Sequence, residues 1–161
     1  MPTPVRYSRT QIRLHWLVAT LIALQYLLHD AIAEAWDAFT RGAEVGFDPL
    51  VAQHVFTGLL VAALVVWRLA LRFSHGVPAL PKEEPRLMKV AAHLAHWALY
   101  ALMLLLPVSG AFAWFAGAEQ AASAHNVMKV ALLALVGLHV AALLVHQFVL
   151  RTGLMSRMGR A

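Results

Sequence analysis

The chain has 161 residues, of which 61% are hydrophobic and only 13% charged, and its mean hydropathy is +0.67. The chain has nine histidines and no cysteine, and the lack of cysteine excludes disulfides, iron–sulfur ligation and the covalent attachment of a c-type haem. The net charge of +5 does not indicate nucleic acid, because the basic residues stand at the ends of apolar runs and in short connections, where membrane orientation needs them.

Apolar runs fall at about 10–29, 54–73, 92–115 and 126–150. Each is about long enough to cross roughly 30 Å of hydrocarbon, and in lipid each must be helical because its backbone groups find no water. That leaves no room for a sizeable soluble domain. The sequence predicts an all-α transmembrane four-helix bundle, a single membrane-embedded domain over residues 1–161.

In chain order, span one opens after "SRTQ", where Ser8 can cap and Gln11 can reach back as a capping box. "AIA" at 31–33 followed by Glu34 imitates a cleavage site, so a secretory signal is the alternative for this span. Against it, the apolar run is longer than a usual signal core, and cleavage leaves three spans. "GAEVGFDP" before span two and "SHGVPALPKEEP" after it read as loops. "LPVSG" puts Pro107 and Gly110 inside span three, where a local kink is expected.

Lysine and arginine set the orientation. Arg6, Arg9 and Arg13 precede span one, Arg68, Arg72, Lys82, Arg86 and Lys89 lie between spans two and three, and Arg151, Arg157 and Arg160 follow span four. Only Arg41 and Lys129 fall in the other connections, beside six carboxylates. Both termini are expected on the cytoplasmic side of a bacterial inner membrane, with the acidic loops outside.

Ionisable residues inside a membrane are costly and mark function by default, although a lone histidine also serves simply to bond a neighbouring helix. The pattern decides between these. His125 and His139 in span four are 14 residues apart, four nearly whole turns, on almost the same face and about 21 Å apart along the axis. One metal ion cannot bridge that distance, but two cofactors stacked through the bilayer suit it. His54 starts span two on the outer side, level with His125. His15 lies about two turns into span one from the cytoplasmic end, level with His139. Two bis-histidine sites, His54/His125 and His15/His139, point to two haem b groups, since imidazole is a good axial ligand for haem iron. Gly58 and Gly137 are expected to let a flat macrocycle approach the backbone.

"YSRTQIRLHW", "QHVFTGLLVAALVVWRLALR", "AAHLAHWALYALMLLLPVSG" and "LHVAALLVHQFV…GLMSRM" resemble, in order and over nearly the whole chain, the bacterial cytochrome b-561 family. The resemblance implies a four-helix di-haem cytochrome of the inner membrane and carries axial ligation onto His15, His54, His125 and His139. It departs from the family pattern in a short connection between spans three and four, and in Asn126 where glutamate is common after the first histidine of span four. Family members oxidise different donors, one of them passing electrons from superoxide to ubiquinone.

His29, 14 residues after His15, competes with His54. The family motif favours His54, and His29 stands beside Asp30 at the water boundary. Arg68, Arg72, His93, His96, Lys129 and His146 are candidates for propionate or quinone contacts, with positive-inside anchoring or a structural role as the plain alternative. Lys129, near the outer site, is also a candidate to attract an anionic donor. His75 reads as a solvated loop residue. Trp16, Trp36, Trp97 and Trp114 read as an interfacial belt.

The expected function is electron relay across the membrane, from a small or protein donor on the outer side to the quinone pool, an oxidoreductase of superoxide:quinone type. The alternative is an electron-transfer subunit for a separate dehydrogenase or periplasmic partner, with no substrate of its own. A histidine-based proton or metal transporter predicts histidines clustered round one path, which these spacings do not give. A purely structural subunit leaves the matched depths as coincidence. Lipid and quinone are the expected partners, with no nucleic acid.

Overall fold

A computed structural model describes residues 4, 6–79, 84–153 and 158, so Lys82, Arg157 and Arg160 lie outside the described residues. Five helices run in chain order: α1 Arg9–Leu27, α2 His29–Thr40, α3 Pro49–His75, α4 Arg86–Ala116 and α5 Glu119–Leu144, the last continued by a π-helical turn, Val145–Val149. No strand occurs among the described residues.

Local chemistry sets the helix ends. At α1 the capping box forms as expected, with the Gln11 N–H donating to Ser8 Oγ at 3.2 Å and the Ser8 N–H to Gln11 Oε1 at 2.9 Å. The Gln11 amide also donates to the Gly76 carbonyl at 3.0 Å, which ties the start of α1 to the end of α3. At α3, Asp48 accepts from the Leu50 N–H at 2.7 Å, and Pro49 occupies the first helical position, where its missing N–H costs nothing. α4 ends at Gly117, whose φ of +63° is a left-handed conformation suited to glycine.

Two expectations about the elements are corrected. The first apolar run does not continue straight to residue 29: Leu28 leaves helical geometry, and α2 departs from α1 at 53°. The segment between the first two spans, taken as an acidic loop, therefore contains a helix, with Glu34 and Asp37 exposed and Ile32, Ala33 and Trp36 turned inward. The helices also begin earlier than the hydropathy pattern suggested. His54 and His125 consequently lie more than one turn inside α3 and α5 rather than at their starts. The loops at 41–48 and 76–79 are as expected, and α4 continues as helix through Pro107.

α1 packs on α3, α3 on α4 and α4 on α5, while α2 lies against α3. α5 makes no more than glancing backbone contact with α1 or α3. The buried cluster of Leu14, Val18, Val61, Leu64, Val65 and Tyr100 thus belongs to α1, α3 and α4. On the α5 side the bundle is less closely filled, and Leu132 is the one buried residue of that helix. Large apolar side chains such as Leu27 and Phe148, 77% and 70% exposed, point outward, where hydrocarbon solvates them without penalty. Three helices are long and apolar enough to cross a membrane, or four when the bent α1–α2 pair counts as one span.

The Gln11–Gly76 bond and a contact between Glu84 and His146 gather the start of α1, the loop after α3 and the end of α5 at one end of the bundle. The opposite end carries α2, the 41–48 loop and Gly117.

Candidate functional site

His54 on α3 and His125 on α5 face one cavity at the α2 end, together with His29 and Lys129. The cavity measures about 230 Å³, many times the roughly 10–15 Å³ that a single water requires. Its walls are mainly apolar, and Gly58 and Gly110 thin them beside the two histidines. His54 is held from behind: Gln25 of α1 donates to the His54 carbonyl at 3.0 Å and to Thr57 Oγ1 at 2.7 Å. Nδ1 of His54 has no hydrogen-bond partner among the described residues.

His125 is held by α4, its Nδ1 lying 2.9 Å from the Leu106 carbonyl. A carbonyl only accepts, so Nδ1 carries the hydrogen and Nε2 keeps the lone pair that a metal takes. His29 is placed differently. Its ring centroid lies 6.2 Å from that of His54, but its Nε2 accepts from Lys129 Nζ at 2.7 Å. Tyr26 fixes the backbone of Lys129 by donating to its carbonyl at 2.6 Å.

Toward the other end, His15 of α1 lies within electrostatic range of His139, His96 and Arg68. His96 meets His139 edge to face at 5.3 Å between ring centroids, and its Nδ1–H donates to the Ala92 carbonyl at 2.6 Å. Arg68 and Arg72 both stand over the Tyr100 ring at 5.9 Å, and Arg72 stands over Trp97 at 5.4 Å. The fold therefore brings together His54 with His125 and His15 with His139, each pair joined by a third histidine.

The remaining candidates separate. His93 and His75 are exposed, the latter bonded to Ser74 at 2.8 Å. His146, in the π-helical turn, places Nε2 3.1 Å from Glu84 Oε1 and Nδ1 3.2 Å from Thr152 Oγ1. Trp36 and Trp114 line the cavity rather than only a belt, and Trp16 donates to the Met158 carbonyl at 3.0 Å. Gly137, two residues from His139, lies about 200° round the helix from it and borders open space. At Gly110 a Cβ would stand 3.2 Å from the His125 ring, and at Gly58 one would stand 3.5 Å from the Gln25 amide. Gln25 and Ser109 were not foreseen, because their partners come from neighbouring helices.

Residues 6–161 match the family described as prokaryotic cytochrome b561. The chain belongs to the prokaryotic cytochrome b561 family. It is 37% identical over 155 residues to a cytochrome b562 of Cereibacter sphaeroides, covering 96% of this chain and 95% of the relative. It is 28% identical over 178 residues to a probable superoxide oxidase CybB of Yersinia pestis, covering 95% of each. A cytochrome b561 homolog 1 of Escherichia coli K12 is 30% identical over 105 residues, covering 65% of this chain and 57% of the relative. A cytochrome b561 is an electron-transfer membrane protein, and membership implies b-type haem. The residues fit that group. Imidazoles face an apolar cavity beside two glycines, and the fixed tautomer of His125 leaves Nε2 free for iron.

Proposed function

We propose that the protein is a di-haem b-type cytochrome of the bacterial inner membrane that relays electrons from an outer-side donor to the quinone pool. What supports this is the double pairing along α5: His125 lines one cavity with His54, and His139 lies within electrostatic range of His15, two positions about 21 Å apart along one helix. His54 and His125 are assigned to the outer haem, His15 and His139 to the inner one. Bound haem b supplies reversible one-electron chemistry at iron, and the protein supplies ligands, spacing and local polarity.

Arginines of the described chain favour this orientation. Arg9, Arg13, Arg72, Arg86 and Arg151 stand at the end that gathers the start of α1 and the end of α5, which supports a cytoplasmic position for that end. At that end Arg68 and Arg72 offer positive charge to the inner propionates, and His96, beside His139, is assigned to the same surroundings or to quinone. At the outer end Lys129 brings a cation to the cavity wall, which attracts an anionic donor. The Yersinia pestis relative's name supports superoxide as that donor.

The test is a pyridine haemochrome count on detergent-purified protein. The expected result is two haems b per chain, with one lost in each of His15→Ala, His54→Ala, His125→Ala and His139→Ala. Colourless protein made with adequate haem supply ends the reading. Stopped-flow reduction by superoxide, followed by reoxidation only when ubiquinone is added, tests donor and acceptor separately.

A further inference from the structure

The two outer histidines are not held alike. His54 Nδ1 is buried without a hydrogen-bond partner among the described residues, whereas His125 Nδ1 lies 2.9 Å from the Leu106 carbonyl and 3.2 Å from Ser109 Oγ. Both partners of His125 come from a single turn of α4. Within that turn the Ser109 hydroxyl donates to the Leu106 carbonyl at 2.9 Å. Its hydrogen is therefore engaged, and only its lone pairs remain for His125. Two acceptors thus converge on one N–H. Gly110 completes the arrangement: a Cβ there would lie 3.2 Å from both Cε1 and Nδ1 of the ring, closer than ordinary van der Waals contact.

We propose that the Leu106–Gly110 turn positions and tunes the outer haem, fixing the tautomer and ring angle of His125 and making it the more electron-donating of the two outer imidazoles. This rests on the reading that His125 ligates that haem. Hydrogen bonds accepted from Nδ1–H push electron density toward Nε2, and a more basic ligand favours ferric over ferrous iron. His54 lacks that support, so the electronic bias of the outer site comes from the α4 side. Ser109 is a positioning residue here, acting through His125, and Gly110 is the space that lets the ring sit against the turn.

The experiment is a redox titration of purified holoprotein followed by its visible absorbance, with the outer haem identified as the one lost in His54→Ala. Ser109→Ala is expected to raise the outer midpoint potential, leave the inner one in place and retain two haems. Ser109→Thr, which keeps the hydroxyl, is expected to restore the wild-type value. Gly110→Ala is expected to move the low-spin EPR signal of the same haem, because the ring must turn, and it decides by the same titration where Ser109→Ala retains no haem. Unmoved midpoints in a two-haem Ser109→Ala protein, or equal movement of both, overturn the tuning role and leave the di-haem reading standing. Wild-type protein without an outer haem overturns both.

Discussion

Lys129 places its ammonium 2.7 Å from Nε2 of His29, a residue one hundred positions earlier in the chain. An ammonium only donates, so the lone pair of that nitrogen is engaged. This distinguishes His29 from His54, its rival in the sequence, where the family motif and the position of His29 beside Asp30 were the grounds for choosing between them.

His29→Ala is therefore expected to keep two haems per chain by pyridine haemochrome, and His54→Ala to keep one. Lys129→Gln should retain both haems but slow reduction by superoxide roughly tenfold at low ionic strength, an effect that added salt removes. Equal rates in stopped flow at low salt would exclude an electrostatic role for Lys129.

Arg68 lies within electrostatic range of both His15 and His139 and is held over Tyr100. Removing a positive charge near an iron centre favours its oxidised form. Arg68→Gln should thus lower the inner midpoint potential by on the order of tens of millivolts and leave the outer one in place. A titration in which the outer potential moves instead would reverse the assignment of levels.

The Glu84 side chain, 7% exposed, pairs with His146 through one oxygen, and the other has no hydrogen-bond partner among the described residues. His146→Ala should cost about 1–3 kcal/mol of stability, since it strands a buried carboxyl group. Glu84→Gln combined with His146→Ala should cost less than the sum of the two single changes, because the pair acts as a unit. Thermal unfolding in detergent, as a double-mutant cycle, reads the coupling; strict additivity would show that the contact carries nothing.

Gln25 bridges α1 to α3 through the His54 carbonyl and Thr57. Gln25→Leu keeps the bulk and removes both bonds, so the outer haem is expected to be retained less well than the inner one on gel filtration. Unchanged retention of both would show that α3 holds His54 without help from α1.

The relation of His125 to His139 was legible because periodicity along one helix is a sequence property: 14 residues fix the rotation and rise between them whatever surrounds them. α2 was not legible, because its acidic residues and short length look like a solvated connection, and the places of Trp36 at the cavity and Phe39 beside Gly117 acquire meaning only once the helices are packed. Ser109 and Gln25 were hidden for a related reason. Their roles depend on which helix packs beside which, and on the rotation of each, neither of which periodicity gives. The place of His96 against His139 likewise needs the α4–α5 contact.

Both histidine pairs take one member from α5, which follows the other four described helices in the chain. A nascent polypeptide emerging from the ribosome through the end of α4 therefore carries His15 and His54 without either opposite imidazole. Neither pair is complete until α5 has entered the bilayer, and a chain cut short before Glu119 holds one histidine of each pair.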